Sequence, residues 1–310
     1  MPTTVTVYKN TDAGAPSLLS NAVPMPEATN FVNLYTKCLV DGYGTKPAAG
    51  WTKPYTGTNK AAFLPGGGNQ LYLRVDDSTG TGSECYLVTN GYETMSDVDT
   101  GTGPFPVTGT LVNGAFSRSA VARPWVIVAD NRTVYLFLDG ADTLVYTATL
   151  FGDFYSYKSS DSYRTLHISP STSFAGAQGF GFFTSGTLDT ADPAHCVARS
   201  YTAGAGGITI GTHGDNLKKA SGLSGVLPYP HTVDSKIWLS PLYLHETSGV
   251  VRGKYRGLWQ WLHPTAGIAD QDTWPGAGDL AGKTFLAIRD ASISGNGVYV
   301  VETSSTWDTN

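Results

Sequence analysis

Pro124-Trp-Val-Ile-Val-Ala129 and Thr133-Val-Tyr-Leu-Phe-Leu138 decide the fold class of this chain. Both runs are dense in β-branched and aromatic residues, which fit a pleated, half-buried surface. Between them stands Asp130-Asn-Arg132, led by an Asx residue whose side chain can bond its own backbone and turn the chain. Two such runs around such a turn predict a β-hairpin.

Similar runs flank the hairpin. Upstream, strands are predicted at residues 5–8, 70–75 and 84–88. Residues 42–68, rich in Gly, Pro and Thr around Trp51, Tyr55 and Phe63, read as loop and short strands, and 96–114 reads as loop. Downstream, strands are predicted at 146–150, 166–168, 179–183, 195–201, 236–239, 242–245, 254–262, 284–288 and 297–302. One segment breaks the pattern. Over residues 27–40, Ala28, Phe31, Val32, Tyr35, Cys38 and Leu39 recur at helical spacing, with Pro24 and Pro26 before them and Gly42 and Gly44 after. A helix with one apolar stripe must lie on a sheet.

The predicted fold is therefore mainly β, with antiparallel sandwich-like lobes and one short N-terminal amphipathic helix. Residues 1–201, including helix 27–40, form the N-terminal β lobe. The Gly-rich stretch 202–235 is a connecting or contact loop, and 236–310 is the C-terminal β lobe. A single continuous domain is the alternative, since β domains can exceed 200 residues. No fixed-period repeat occurs, which disfavours solenoids and propellers.

Of the 310 residues, 41% are hydrophobic and 12% aromatic, enough for a sizeable core. Only 15% are charged, below the usual ~25%. The net charge of −5 and the absence of a Lys/Arg cluster give no footprint for nucleic acid. Arg252, Lys254 and Arg256 share strand parity but make a weak patch. Cys38, Cys85 and Cys196 form no CxxC pair, so neither a zinc site nor a disulfide framework is expected, and three buried thiols are. No apolar run is long enough to span a membrane. Met1-Pro-Thr-Thr-Val-Thr-Val7 has neither a basic nor an apolar signal region, so folding in a cytoplasm is expected.

No residues converge into a recognisable catalytic, metal or cofactor motif, and the chain is read as not an enzyme. Asp97-Val-Asp99 reads as an Asx turn; the alternative, a calcium turn, lacks the later bidentate Glu of an EF-hand loop. Asp139-Gly-Ala-Asp142 is a further turn. His213 and Asp215 stand two apart, but no nucleophile elbow accompanies them. His167, His195, His231, His245 and His263 lack metal-ligand spacing. Glu84, Glu93, Glu246 and Glu302 are the strand-associated acids from which a glycosidase pair would have to come. Tyr255, Trp259 and Trp261 share one parity and are the candidate interface or glycan-stacking aromatics, with core packing as the bland alternative.

Several stretches, taken in order, carry a family resemblance: Cys38-Leu-Val-Asp-Gly-Tyr-Gly44, Gly50-Trp-Thr52, Gly57-Thr-Asn-Lys-Ala61, Leu71-Tyr-Leu-Arg-Val-Asp-Asp77, Arg123-Pro-Trp-Val-Ile-Val-Ala-Asp130, Phe151-Gly-Asp-Phe-Tyr-Ser-Tyr157, Gly257-Leu-Trp259, Leu262-His263, Gly282-Lys-Thr-Phe285 and Glu302-Thr-Ser-Ser-Thr-Trp307. With these the chain resembles virion structural proteins of tailed bacteriophages, notably contractile-tailed ones. The resemblance implies a component of the tail, baseplate, neck or an attached appendage, assembled in the host cytoplasm. It implies partners among other virion proteins and copies of the same chain; that neither nucleic acid nor a membrane is bound is the expectation from charge and hydropathy above. It transfers no catalytic residue. The rival readings are a receptor- or carbohydrate-binding module meeting a host surface glycan, and, further off, a cell-envelope hydrolase. The first predicts exposed Trp and Tyr in a groove, the second converging Glu or Asp residues in a cleft.

Overall fold

The computed structural model describes residues 4–107, 112–139, 146–168, 195–204, 206–213, 231–246, 249–263, 268–289, 298–304 and 306–308. The strand predicted at 179–183 and the end of the turn predicted at 139–142 lie outside them. Among the described residues the strands are β1 Thr6–Lys9, β2 Thr52–Gly57, β3 Lys60–Leu64, β4 Tyr72–Asp76, β5 Glu84–Asp97, β6 Thr100–Phe105, β7 Val112–Ser117, β8 Trp125–Ala129, β9 Thr133–Asp139 and β10 Tyr146–Asp153. They continue with β11 Tyr155–Ser156, β12 Thr165–Ile168, β13 His195–Val197, β14 Ile208–His213, β15 Leu239–Glu246, β16 Val251–Trp261, β17 Thr273–Pro275, β18 Thr284–Arg289 and β19 Val298–Glu302.

The fold is mainly β, with three antiparallel sheets and one helix near residues 31–41. The first sheet runs β1-β8-β9-β10-β12-β13-β14. At β14 the ladder changes hands: Ile208 and Thr209 pair with β13, and Ile210 to His213 pair with β15. The third sheet continues β15-β16-β19-β18-β17, with β11 also on β16. The second sheet is β2-β3-β4-β5-β6, and β7 pairs the first half of β5.

The hairpin forms as expected. Trp125 faces Leu138 and Ala129 faces Val134 in register, and Asp130 Oδ1 accepts the N–H groups of Arg132 and Thr133 to close the turn. Every residue of β8 is buried, because the first sheet is a middle layer. Trp125, Ile127, Ala129, Val134, Leu136 and Leu138 enter a core shared with the helix and the second sheet. Val126, Val128, Tyr135 and Phe137 enter another, shared with Leu244, Leu258, Ile288 and Val301 of the third sheet. A strand covered on both faces reads as an unbroken apolar run. A third, smaller cluster around Trp261, Phe285 and Val300 covers the far side of the third sheet.

Three expectations are corrected. The helix does not begin at residue 27. Glu27–Thr29 is a separate 3₁₀ turn with Ala28 exposed, and Asn30, extended, caps Phe31 by accepting the Asn33 N–H at 2.8 Å. From there Phe31, Leu34, Tyr35, Cys38 and Leu39 form the buried stripe, and the last turn widens so that Gly42 N–H bonds Lys37 O at 2.9 Å. The region 96–114 is not all loop: Thr100–Phe105 completes an edge of β5 despite its Gly-rich sequence. The stretch 202–235 likewise contains β14, whose backbone bridges two sheets. For Thr100–Phe105 an available neighbouring edge supplies ladder bonds that the side chains do not advertise, whereas Ile208 and Ile210 mark β14 as a short alternating run within the Gly-rich stretch.

Candidate functional site

Several charged side chains among the described residues are buried and paired within the chain. Arg252, 2% exposed, holds Asp161 at 2.9 Å and Glu246 at 2.9 Å. Arg256, 1% exposed, bonds Asp130 and Thr133, and its guanidinium lies 5.6 Å from the Trp307 ring. Lys254 reaches Asp308 at 2.7 Å, and this pairing holds the Asp308 carboxyl below its ordinary value. The three alternating cations are thus ion-paired, not a basic patch. Arg74 lies between Asp76 and Asp99, and Lys60 adds a second contact to Asp99. The hydrogen bond from Arg74 is the main reason the Asp99 carboxyl titrates low.

The strand acids do not meet one another. Glu93 pairs with Arg199, Glu246 accepts Tyr201 N–H at 2.7 Å besides Arg252, Glu302 pairs with Lys283, and Glu84 lies against Tyr86. His167 bonds Thr89 in the core, and the ring of His263 accepts Trp238 N–H at 2.6 Å. The side chains of His195 and His213, and all of Asp215, lie outside the described residues. Asp97 Oδ1 accepts Val98 N–H, an Asx contact. Among the described residues no group of three or more His, Cys, Asp and Glu could hold a metal ion, and no helix is long and apolar enough to cross a membrane. Cys38, Cys85 and Cys196 are free and buried, and burial pushes all three thiols up.

Of the three aromatics singled out by parity, Tyr255 is buried against the middle sheet and Trp261 is buried in the outer cluster, while Trp259 is half-buried beside the latter. The alternation fails at Gly257, whose φ of +64° kinks β16. There the register against β15 slips, from Pro241 opposite Trp259 to Tyr243 opposite Lys254. A positive φ without strain requires glycine, and a Cβ at this point would collide with the Trp307 indole.

What the outer face of the third sheet does present is a concave aromatic cleft of about 410 Å³, bounded by Ile237, Trp238, Leu239, Trp259 and the turn Gly278–Leu280. An adjoining recess of about 240 Å³ continues past Trp274 and Phe285, whose rings stack at 6.1 Å. Trp238 is 44% exposed. It is nevertheless held: its backbone N–H bonds His263, its indole N–H donates to Asp234 Oδ2 at 3.1 Å, and the His231 ring lies 5.2 Å away. Asp234 in turn accepts Lys236 N–H and pairs with His231 Nδ1, both at 3.1 Å. Desolvation alone would raise the Asp234 carboxyl; the donors from Lys236, Trp238 and His231 outweigh it and hold the group low. Sequence parity finds Trp259 and misses Trp238. The available signal is His231, Asp234 and Trp238 together at the end of the Gly-rich stretch.

No protein-family model and no curated protein matches the chain.

Proposed function

We propose that this chain is a non-catalytic structural subunit of a tailed-bacteriophage particle, acting by binding neighbouring proteins and copies of itself. The observation that carries the reading is that buried arginines are paired with carboxylates of the same chain. Arg74, Arg252 and Arg256 are buried against these carboxylates and Arg199 pairs with Glu93 nearer the surface, so these groups hold the fold together and are not offered to a substrate. The ordered resemblance across the chain supports the station in a virion. Cryo-electron microscopy of purified particles tests it. Ordered copies at the neck, tail or baseplate are expected, and absence of the chain from the particle would overturn the reading.

A second reading is favoured by one feature. A receptor- or carbohydrate-binding module predicts exposed Trp and Tyr in a groove; Trp238 is exposed there and the half-buried Trp259 lines the same depression, while no Tyr among the described residues bounds it. On this reading the subunit belongs to a fibre or appendage. Its test is saccharide binding by the isolated chain.

A further inference from the structure

An exposed tryptophan is ordinarily free to reorient. Trp238 is not, because Asp234, His231 and His263 fix its ring and its backbone from three sides. Fixing an exposed ring lowers the ordering cost of anything that binds it. The volume of about 410 Å³ falls within the range of small-ligand sites. Tryptophan anchors of protein interfaces fill pockets on a partner; here the indoles wall a depression instead. The rim is polar and mixed in sign, with Lys236 and Asp279 both exposed beside Asp234. Trp259 carries a buried indole N–H that has no hydrogen-bond partner among the described residues.

A ligand that suits this site has a flat apolar face for the indole and hydroxyls around its edge for the rim. That is the chemistry of a sugar ring, and the mixed rim favours an uncharged one. We propose that the cleft between Trp238 and Trp259 binds a neutral pyranose of a surface glycan, with Trp238 as the stacking platform and Lys236 and Asp279 as the groups that pair its hydroxyls. This inference rests on the second reading above and names its site. Asp234 is a positioning residue: it orients the Trp238 ring.

The test titrates the full chain with glucose, galactose, N-acetylglucosamine and N-acetylgalactosamine, followed by saturation-transfer NMR and tryptophan fluorescence. Trp238→Ala, Trp238→Phe, Asp279→Asn and the distant control Tyr157→Ala are compared, with circular dichroism confirming the fold of each. Saccharide binding is expected, weakened about tenfold or more by Trp238→Ala, weakened less by Asp279→Asn, partly restored in Trp238→Phe and unchanged in Tyr157→Ala. Binding that survives Trp238→Ala unaltered overturns this site and leaves the glycan reading standing. No saccharide binding by the unaltered chain overturns both. Loss of incorporation into particles by Trp238→Ala, without any saccharide binding, makes the cleft a protein joint and overturns the glycan assignment.

Discussion

Asp130 serves three sheets at once. Its carboxylate closes the β8–β9 turn, both of its oxygens face Arg256 on β16, and its carbonyl accepts the indole N–H of Trp51 at 2.8 Å, next to β2. Removing it leaves Arg256 as an uncompensated buried cation. Asp130→Ala is expected to cost about 3–5 kcal/mol, and Asp130→Asn less, because the amide oxygen still accepts the turn N–H groups. Urea denaturation of the two variants checks the order. Asp77 carries a different consequence. It is buried at the helix start, where Val32 N–H bonds it at 3.1 Å, and burial outweighs that bond, pushing its carboxyl up to about 7. The folded protein therefore holds this proton at pH values where the unfolded chain, near 3.8, has released it. Stability should fall as pH rises from about 4 to about 7. Asp77→Asn should flatten that slope, leaving the part due to Asp153, which burial pushes up to about 6. Denaturation midpoints at a series of pH values measure both.

At the scale of elements, the helix is legible as an apolar stripe, because 3.6-residue spacing is a local property. Its start is not, because Asn30 acts as a cap only once its side chain turns to Asn33 and its amide reaches Asp77 at 3.2 Å. Asn30→Ala is expected to destabilise the protein by about 1 kcal/mol from the cap alone, with a further loss from the Asp77 contact, read as a shift in thermal midpoint. β16 shows the opposite failure. Parity groups Tyr255, Trp259 and Trp261, and Gly257 divides them between two cores. Gly257→Ala should cost about 1–3 kcal/mol through overpacking against Trp307, with the indole fluorescence altered. β6 is hidden because a Gly-rich strand carries no apolar alternation, whereas β14 does alternate at Ile208 and Ile210 but is short and set among the glycines around it.

For the whole molecule, the middle sheet ties the outer two together through its opposite faces. Phe137 on β9 packs toward Tyr299 on β19 at 6.4 Å, while its neighbour Leu136 belongs to the core shared with the second sheet. We expect heat to unfold the chain in one calorimetric transition. Phe137→Ala should lower that whole transition by about 3–5 kcal/mol, and two separable peaks, only one of them moved, would refute the coupling.

The sequence by itself determined that this is a β protein with one amphipathic helix, where most strands fall, and that its three cysteines are unpaired by motif. Those properties follow from composition and spacing within a few residues, which act before any long-range contact exists. Only the tertiary structure decided which sheets cover the two faces of β8, that Arg252 and Arg256 are buried partners of Asp161 and Asp130, and that Trp238 stands exposed and fixed while Trp261 is sealed. Burial and pairing depend on what distant segments bring to a side chain, and a strand's own residues do not say which face a neighbouring sheet will cover.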